Sequence, residues 1–127
     1  MPHAISRTAL SLNVADPAAS RDFLVGMFDF EVEMDHGDVV SLRRDDVGCN
    51  VIYLRTGLES FKPAHRSGSA GDGLLVVFVT DALDAWHDDL VDRGIRVVTP
   101  PETEPWGERY SQYEDPNGVI VQLVQWM

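Results

Sequence analysis

The sequence repeats one pattern at a fixed interval, and this repeat limits the folds open to it more than any other feature. Laid over itself without a gap at an offset of 65, Asp16 falls on Asp81, Leu12 on Val77, Val14 on Val79, Phe30 on Ile95 and Val32 on Val97. Most aligned pairs differ, so pattern repeats more than identity. In each half an alternating apolar segment runs into an Asp, then an apolar helical stripe, then another strand. The direct reading is an internal duplication of one supersecondary unit.

Local signals define the parts of that unit. In Ala9–Val14, Leu10, Leu12 and Val14 alternate with Ala9, Ser11 and Asn13, the period of a strand with one face on a core. Asp16-Pro17 starts a helix, since Asp caps well and Pro is tolerated in the first turn. Ala19, Phe23 and Met27, with Leu24 and Phe28 beside them, form one apolar stripe. Phe30–Met34 and Val39–Arg43 read as strands about the turn Asp35-His36-Gly37-Asp38, and Cys49–Leu54 as another. From Arg55 to Gly73 the chain turns to Gly, Ser, Pro and charge, a long and mobile connection.

The opening pattern then returns. Leu74–Val79 reads as a strand, Asp81 as an N-cap, and Leu83, Trp86, Leu90 and Val91 as a helical stripe ended by Gly94. Ile95–Val98 is the next strand. Strands around Arg109–Tyr113 and Val119–Gln125 are joined by the turn formers Asp115-Pro116-Asn117-Gly118. The fold class expected is α+β: two tandem βαβββ modules forming a curled mixed sheet around a pocket. One domain spans 1–127, with module 1 about 4–56, the connection about 57–72 and module 2 about 73–127.

A period of two assigns strand faces. Leu10, Leu12 and Val14 would meet the first helix. In the second module Leu75, Val77 and Val79 would meet the helix, leaving Leu74, Val76 and Phe78 toward the cavity. On the last strand Val121 and Leu123 would be core, with Ile120, Gln122 and Val124 looking into the cavity.

Charge and composition exclude several functions. Acidic side chains outnumber basic ones 21 to 10, for a net charge of −11. Such a surface repels phosphate backbones, so no nucleic-acid partner is expected, and it attracts cations. No apolar run approaches the roughly 20 residues of a membrane span, so no membrane partner is expected either. The opening MPHAISRTAL lacks the apolar stretch of a secretory signal. A single cysteine, Cys49, excludes an internal disulfide and fits a reducing cytoplasm; it reads as a core residue.

In these features the chain resembles the glyoxalase/bleomycin-resistance/extradiol-dioxygenase superfamily, the vicinal oxygen chelate proteins. The residues that carry the resemblance are Leu12-Asn13-Val14-Ala15-Asp16 and its repeat Val77-Phe78-Val79-Thr80-Asp81, then Arg93-Gly94-Ile95, Pro105-Trp106-Gly107-Glu108-Arg109 and Asp115-Pro116-Asn117-Gly118. It runs from about Ala4 to Met127. The resemblance implies paired βαβββ modules and a homodimer with pockets in U-shaped sheets. It also implies a divalent metal held by His or Glu on strands of both modules. At the implied ligand positions this chain has Ala9, Leu74 and Gln122, and the fourth strand offers no His or carboxylate. An amide oxygen is a poor ligand without charged neighbours, so no metal and no other cofactor is expected. His3, His36, His65 and His87 match no local ligand motif and read as surface histidines.

A metal-free pocket of this kind would bind a small molecule. Phe78, Leu74, Val76 and Ile120 would supply its apolar wall and Gln122 a donor and an acceptor. Trp106 and Tyr110 are candidates to stack on a planar ligand. Asn50 and Tyr53 are candidates too, but both cannot point inward. Arg109 would bind an anion or pair with Asp115 or Glu108. The function expected is sequestration of a small aromatic or cationic compound, as metal-free bleomycin-resistance-like members of the family do. The alternatives are a lyase, isomerase or oxygenase with an altered site, or a scaffold with a vestigial pocket. No nucleophile–base set is legible in support of an enzyme.

Overall fold

The computed structural model describes residues 3–127; Met1 and Pro2, part of the opening stretch read for a signal, lie outside it. The chain divides between Gly71 and Asp72 into two compact units. The first holds β1 (Thr8–Val14), α1 (Pro17–Phe28), β2 (Glu31–Asp35), β3 (Val39–Arg43) and β4 (Cys49–Arg55). The second holds β5 (Leu75–Val79), α2 (Leu83–Asp92), β6 (Val97–Thr103), β7 (Glu108–Glu114) and β8 (Ile120–Trp126). Each is a βαβββ module whose helix packs on one four-stranded mixed sheet, in the orders β1-β4-β3-β2 and β5-β8-β7-β6. In each sheet the first strand runs parallel to the last and lies at an edge.

In the first module Leu12 and Val14 point to the helix side with Val40, Leu42, Val51 and Tyr53, all buried together with Leu24 and Phe28 of α1. Each large apolar side chain so buried contributes about 1.5–3 kcal/mol. Asp16 caps α1 through the backbone N–H of Ala19, and Pro17 takes the first helical position. The long connection after β4 is tied to β1. Asn13 Nδ2 donates to the carbonyls of Arg66 and Gly68, both at 2.8 Å, and the Ala70 N–H reaches the Asn13 carbonyl. A short 3-10 helix, Ala64–Arg66, lies within it.

The second module differs from the gapless repeat by one residue. Its helix begins at Leu83, where the offset of 65 would place it at Ala82. Ala82, not Asp81, holds the N-cap position, with no side-chain cap. The offset is restored at the helix exit: Phe30 N–H reaches back to the Leu24 carbonyl and Ile95 N–H to the Leu90 carbonyl. Upstream of that deletion the strand slips by one relative to the repeat, and a slip of one turns every side chain over. Val76 is therefore buried in register with Val121, and Phe78 lies in register with Leu123. The expected facing of β5 is thus corrected: Leu75, Val77 and Val79 turn away from the helix.

The turn between β7 and β8 is built by Asp115, whose Oδ1 accepts the N–H groups of Asn117 and Val119 at 2.9 and 2.8 Å. Gly118 adopts φ 82°, a conformation open to Gly at little cost. Asp115 is buried, so Asp115→Ala would leave two N–H groups without their acceptor. Urea denaturation should show a loss of about 1–3 kcal/mol; a change within 0.5 kcal/mol, on the order of a surface substitution, would contradict this account of the turn.

Candidate functional site

The face of the second sheet turned away from α2 has Gln122 near its centre. Val121 and Leu123 on either side are core, so the period of two points Gln122 to the open face. There it stands in register with Val77 on β5 and Gln112 on β7. Thr99 Oγ1 donates to Gln112 Oε1 at 2.7 Å, and Gln112 Nε2 donates to Gln122 Oε1 at 2.8 Å. The relay ends on Gln122 Nε2, which donates to no group among the described residues, although Gln122 is only 9 % exposed. Among these residues no fully buried side-chain N or O lacks a partner, so Nε2 still opens onto accessible space.

Apolar side chains flank this amide. Leu75, Val77 and Val79 remain 42 %, 45 % and 65 % exposed; Ile120 is half-buried and Val124 buried. Tyr110, opposite Val124, donates its hydroxyl to Glu104 Oε1 at 2.8 Å. That hydrogen bond, then desolvation and the negative charge of Glu102, Glu104 and Glu108, pushes the phenol up to about 12. Trp106 sits at the tip of the β6–β7 hairpin, 68 % exposed, with Nε1 donating to Glu108.

Other expected site residues are placed differently. Leu74 precedes β5 and alternates with Val76 and Phe78 on the helix side, for the register reason given above. Tyr53 is 1 % exposed in the core against α1, whereas Asn50, three residues earlier, points to the open face of the first sheet. Arg109 pairs neither with Asp115 nor with Glu108: it grips Asp84 of α2 through Nη2 at 2.6 Å and Nε at 3.0 Å. His87 is not simply a surface group, since its Nδ1 lies 2.8 Å from the buried Tyr113 hydroxyl, which donates to Ser111 Oγ. That chain lies on the helix side, within the core.

Sequence reasoning missed Gln112 and Thr99. One signal was available, because counting outward from the Asp115–Val119 turn sets Gln112 opposite Gln122. It also missed a polar group on the open face of the first sheet. Glu33 accepts from Arg7 at 2.7 Å, Ser41 at 3.2 Å, and Asn50 at 3.2 and 3.3 Å. The Arg7 hydrogen bond is the main cause holding the Glu33 carboxyl below its ordinary range.

The residues at the implied ligand positions do not fit a divalent metal. Ala9 has no donor atom, and the structural counterpart on β5 is a leucine whether the register is taken at Leu74 or Leu75. Gln122 Oε1 is already engaged by Gln112. Among the described residues no three His, Cys, Asp or Glu side chains are grouped to hold a metal ion.

A family model for the Glyoxalase/Bleomycin resistance protein/Dioxygenase superfamily matches residues 4–123. No curated protein matches the chain. Among solved structures, a glyoxalase/bleomycin resistance protein/dioxygenase from Nocardioides superposes with TM-score 0.78 at 20 % identity, over 98 % of this chain and 85 % of that one. The antibiotic binding protein TnmS3 from Streptomyces sp. CB03234 gives 0.73 at 27 % identity, over 98 % and 99 %. A lactoylglutathione lyase from Agrobacterium tumefaciens gives 0.76 at 21 %, over 98 % and 94 %.

With its acidity so depressed, Tyr110 stays a neutral hydrogen-bond donor throughout the range in which binding is assayed. An NMR titration of its ring carbon should place its midpoint at about 12. Glu104→Gln removes the carboxylate and should lower that midpoint toward the ordinary tyrosine value; an unmoved midpoint would show that another cause dominates.

Proposed function

The chain belongs to the glyoxalase/bleomycin resistance protein/dioxygenase superfamily, and we propose that within it this protein binds and sequesters a small planar aromatic compound without a metal. The observation that carries the reading is Gln122. Its Nε2–H, used by no described residue yet open to accessible space, is a donor that a bound acceptor can engage in place of solvent. Around it, Leu75, Val77 and Ile120 supply the apolar contact that small-molecule sites use, with few polar groups to set orientation.

Several features support this. The donor set does not suit the metal on which enzymes of this superfamily are expected to rely. The likeness to TnmS3, which is called an antibiotic binding protein, makes an antibiotic a reasonable class of ligand and resistance a reasonable role. The net charge of −11 favours a cationic compound. Tyr110 and Trp106 offer aromatic faces, the latter free of core packing. A homodimer located in the cytoplasm completes the reading. A lyase, isomerase or oxygenase would need an accessible acid–base set, and the His87–Tyr113–Ser111 chain lies in the core.

Titration with a planar cationic acridine should quench tryptophan fluorescence, less so at high salt, where exposed charges are screened. Trp106→Ala should reduce the signal, and Gln122→Met should weaken binding by about five- to thirty-fold, the worth of one buried hydrogen bond. A broad panel of planar compounds giving neither quenching nor thermal shift would remove the main support. So would a stoichiometric metal that survives dialysis.

A further inference from the structure

The open face of the first sheet holds a second recognition element that does not depend on Gln122. β2 carries a bulge at Glu33: Val32 pairs with Leu42 and Met34 with the very next residue, Ser41, leaving Glu33 outside the ladder. A bulge re-aims a side chain, and here it turns a carboxylate over β3 and β4. Ser41, buried on β3, donates to Oε1, while the Asn50 amide on β4 sits astride both oxygens. These two donors belong to strands and fix the carboxylate in place.

The remaining partner is of another kind. Arg7 lies outside β1, in the irregular N-terminal segment, and its side chain is 68 % exposed while that of Glu33 is 25 % exposed. Asn50 Oδ1 beside it accepts no hydrogen bond from the described residues. A carboxylate held in place by Ser41 and Asn50 is an acceptor suited to a forked N–H donor.

We propose that Glu33 with Asn50 is a recognition site for an organic cation, a guanidinium, amidinium or primary ammonium group, and that the chain's own Arg7 occupies it in the free protein. The exposed ion pair is weak and exchangeable, so a ligand cation with additional contacts displaces Arg7 without disturbing Ser41 or Asn50. A metal ion is disfavoured, because one carboxylate already accepting two neutral donors offers too few oxygens.

The test compares benzamidine with benzamide, a cation and its neutral near-isostere, by amide and side-chain NMR on the intact protein. Benzamidine alone should shift the Asn50 side-chain amide and the Arg7 Nε–H. Arg7→Ala should tighten benzamidine binding by about two- to five-fold, the span of an exposed ion pair, and Glu33→Gln should weaken it at least as much. Equal response to benzamide, indifference to Glu33→Gln, or shifts scattered over the acidic surface would overturn the proposal. Signals of Gln122 and Trp106 in the other module report separately on aromatic binding, so either reading can fail while the other stands.

Discussion

Burial of one sheet face against a single helix is the constraint on which the rest of each module depends. A strand residue has two directions available, and the helix claims one of them. In the first module that claim collects Leu12, Val14, Val40, Leu42, Val51 and Tyr53; in the second it collects Val76, Tyr113, Val121 and Leu123. Whatever alternates with these residues is left on the other face, free of the packing that fixes a core. Ser41 and Asn50 in one module, and Gln112, Gln122 and Tyr110 in the other, owe their positions to that division.

The polar groups on the two open faces solve the same physical problem differently. A charged group near apolar surface must be neutralised, and Glu33 achieves this with Arg7 and two neutral donors. A neutral amide needs only hydrogen bonds, and Gln122 is satisfied on its oxygen through Gln112 and Thr99. On the helix side Arg109 locks β7 to the first turn of α2 through Asp84, whose carboxyl it holds below its ordinary range.

Much of this was legible in the sequence. The strand–helix–strand order, the Asp16 cap, the Asp115 turn and the outward facing of Gln122 all follow from local chemistry and a period of two. The facing of β5 was not, because it rests on counting through a helix from which one residue is missing. That deletion leaves the apolar pattern intact and shows only in the fold, in the later start of α2 and the backbone bonds at the helix exits. The partners of Arg109 and His87 were equally hidden. Asp84 and Tyr113 are 25 and 26 residues away from them, and pairing across such distances is set by packing that no local motif encodes. Glu33 escaped notice because a bulge, not alternation, determines where it points.

The placement of β5 has one more consequence, for the behaviour of the protein as a solute. It is an edge strand of its sheet whose outward side chains are Leu75, Val77 and Val79, all substantially exposed. Such an edge is a template for sticking to another copy, and no lysine or proline within it blocks the approach. What opposes coalescence is long-range repulsion between bodies of charge −11, which reaches only about 8 Å at physiological ionic strength. Colloidal stability is thus delegated to the surface as a whole, and concentrated salt or acid, by cancelling that repulsion, would expose how adhesive this one strand is.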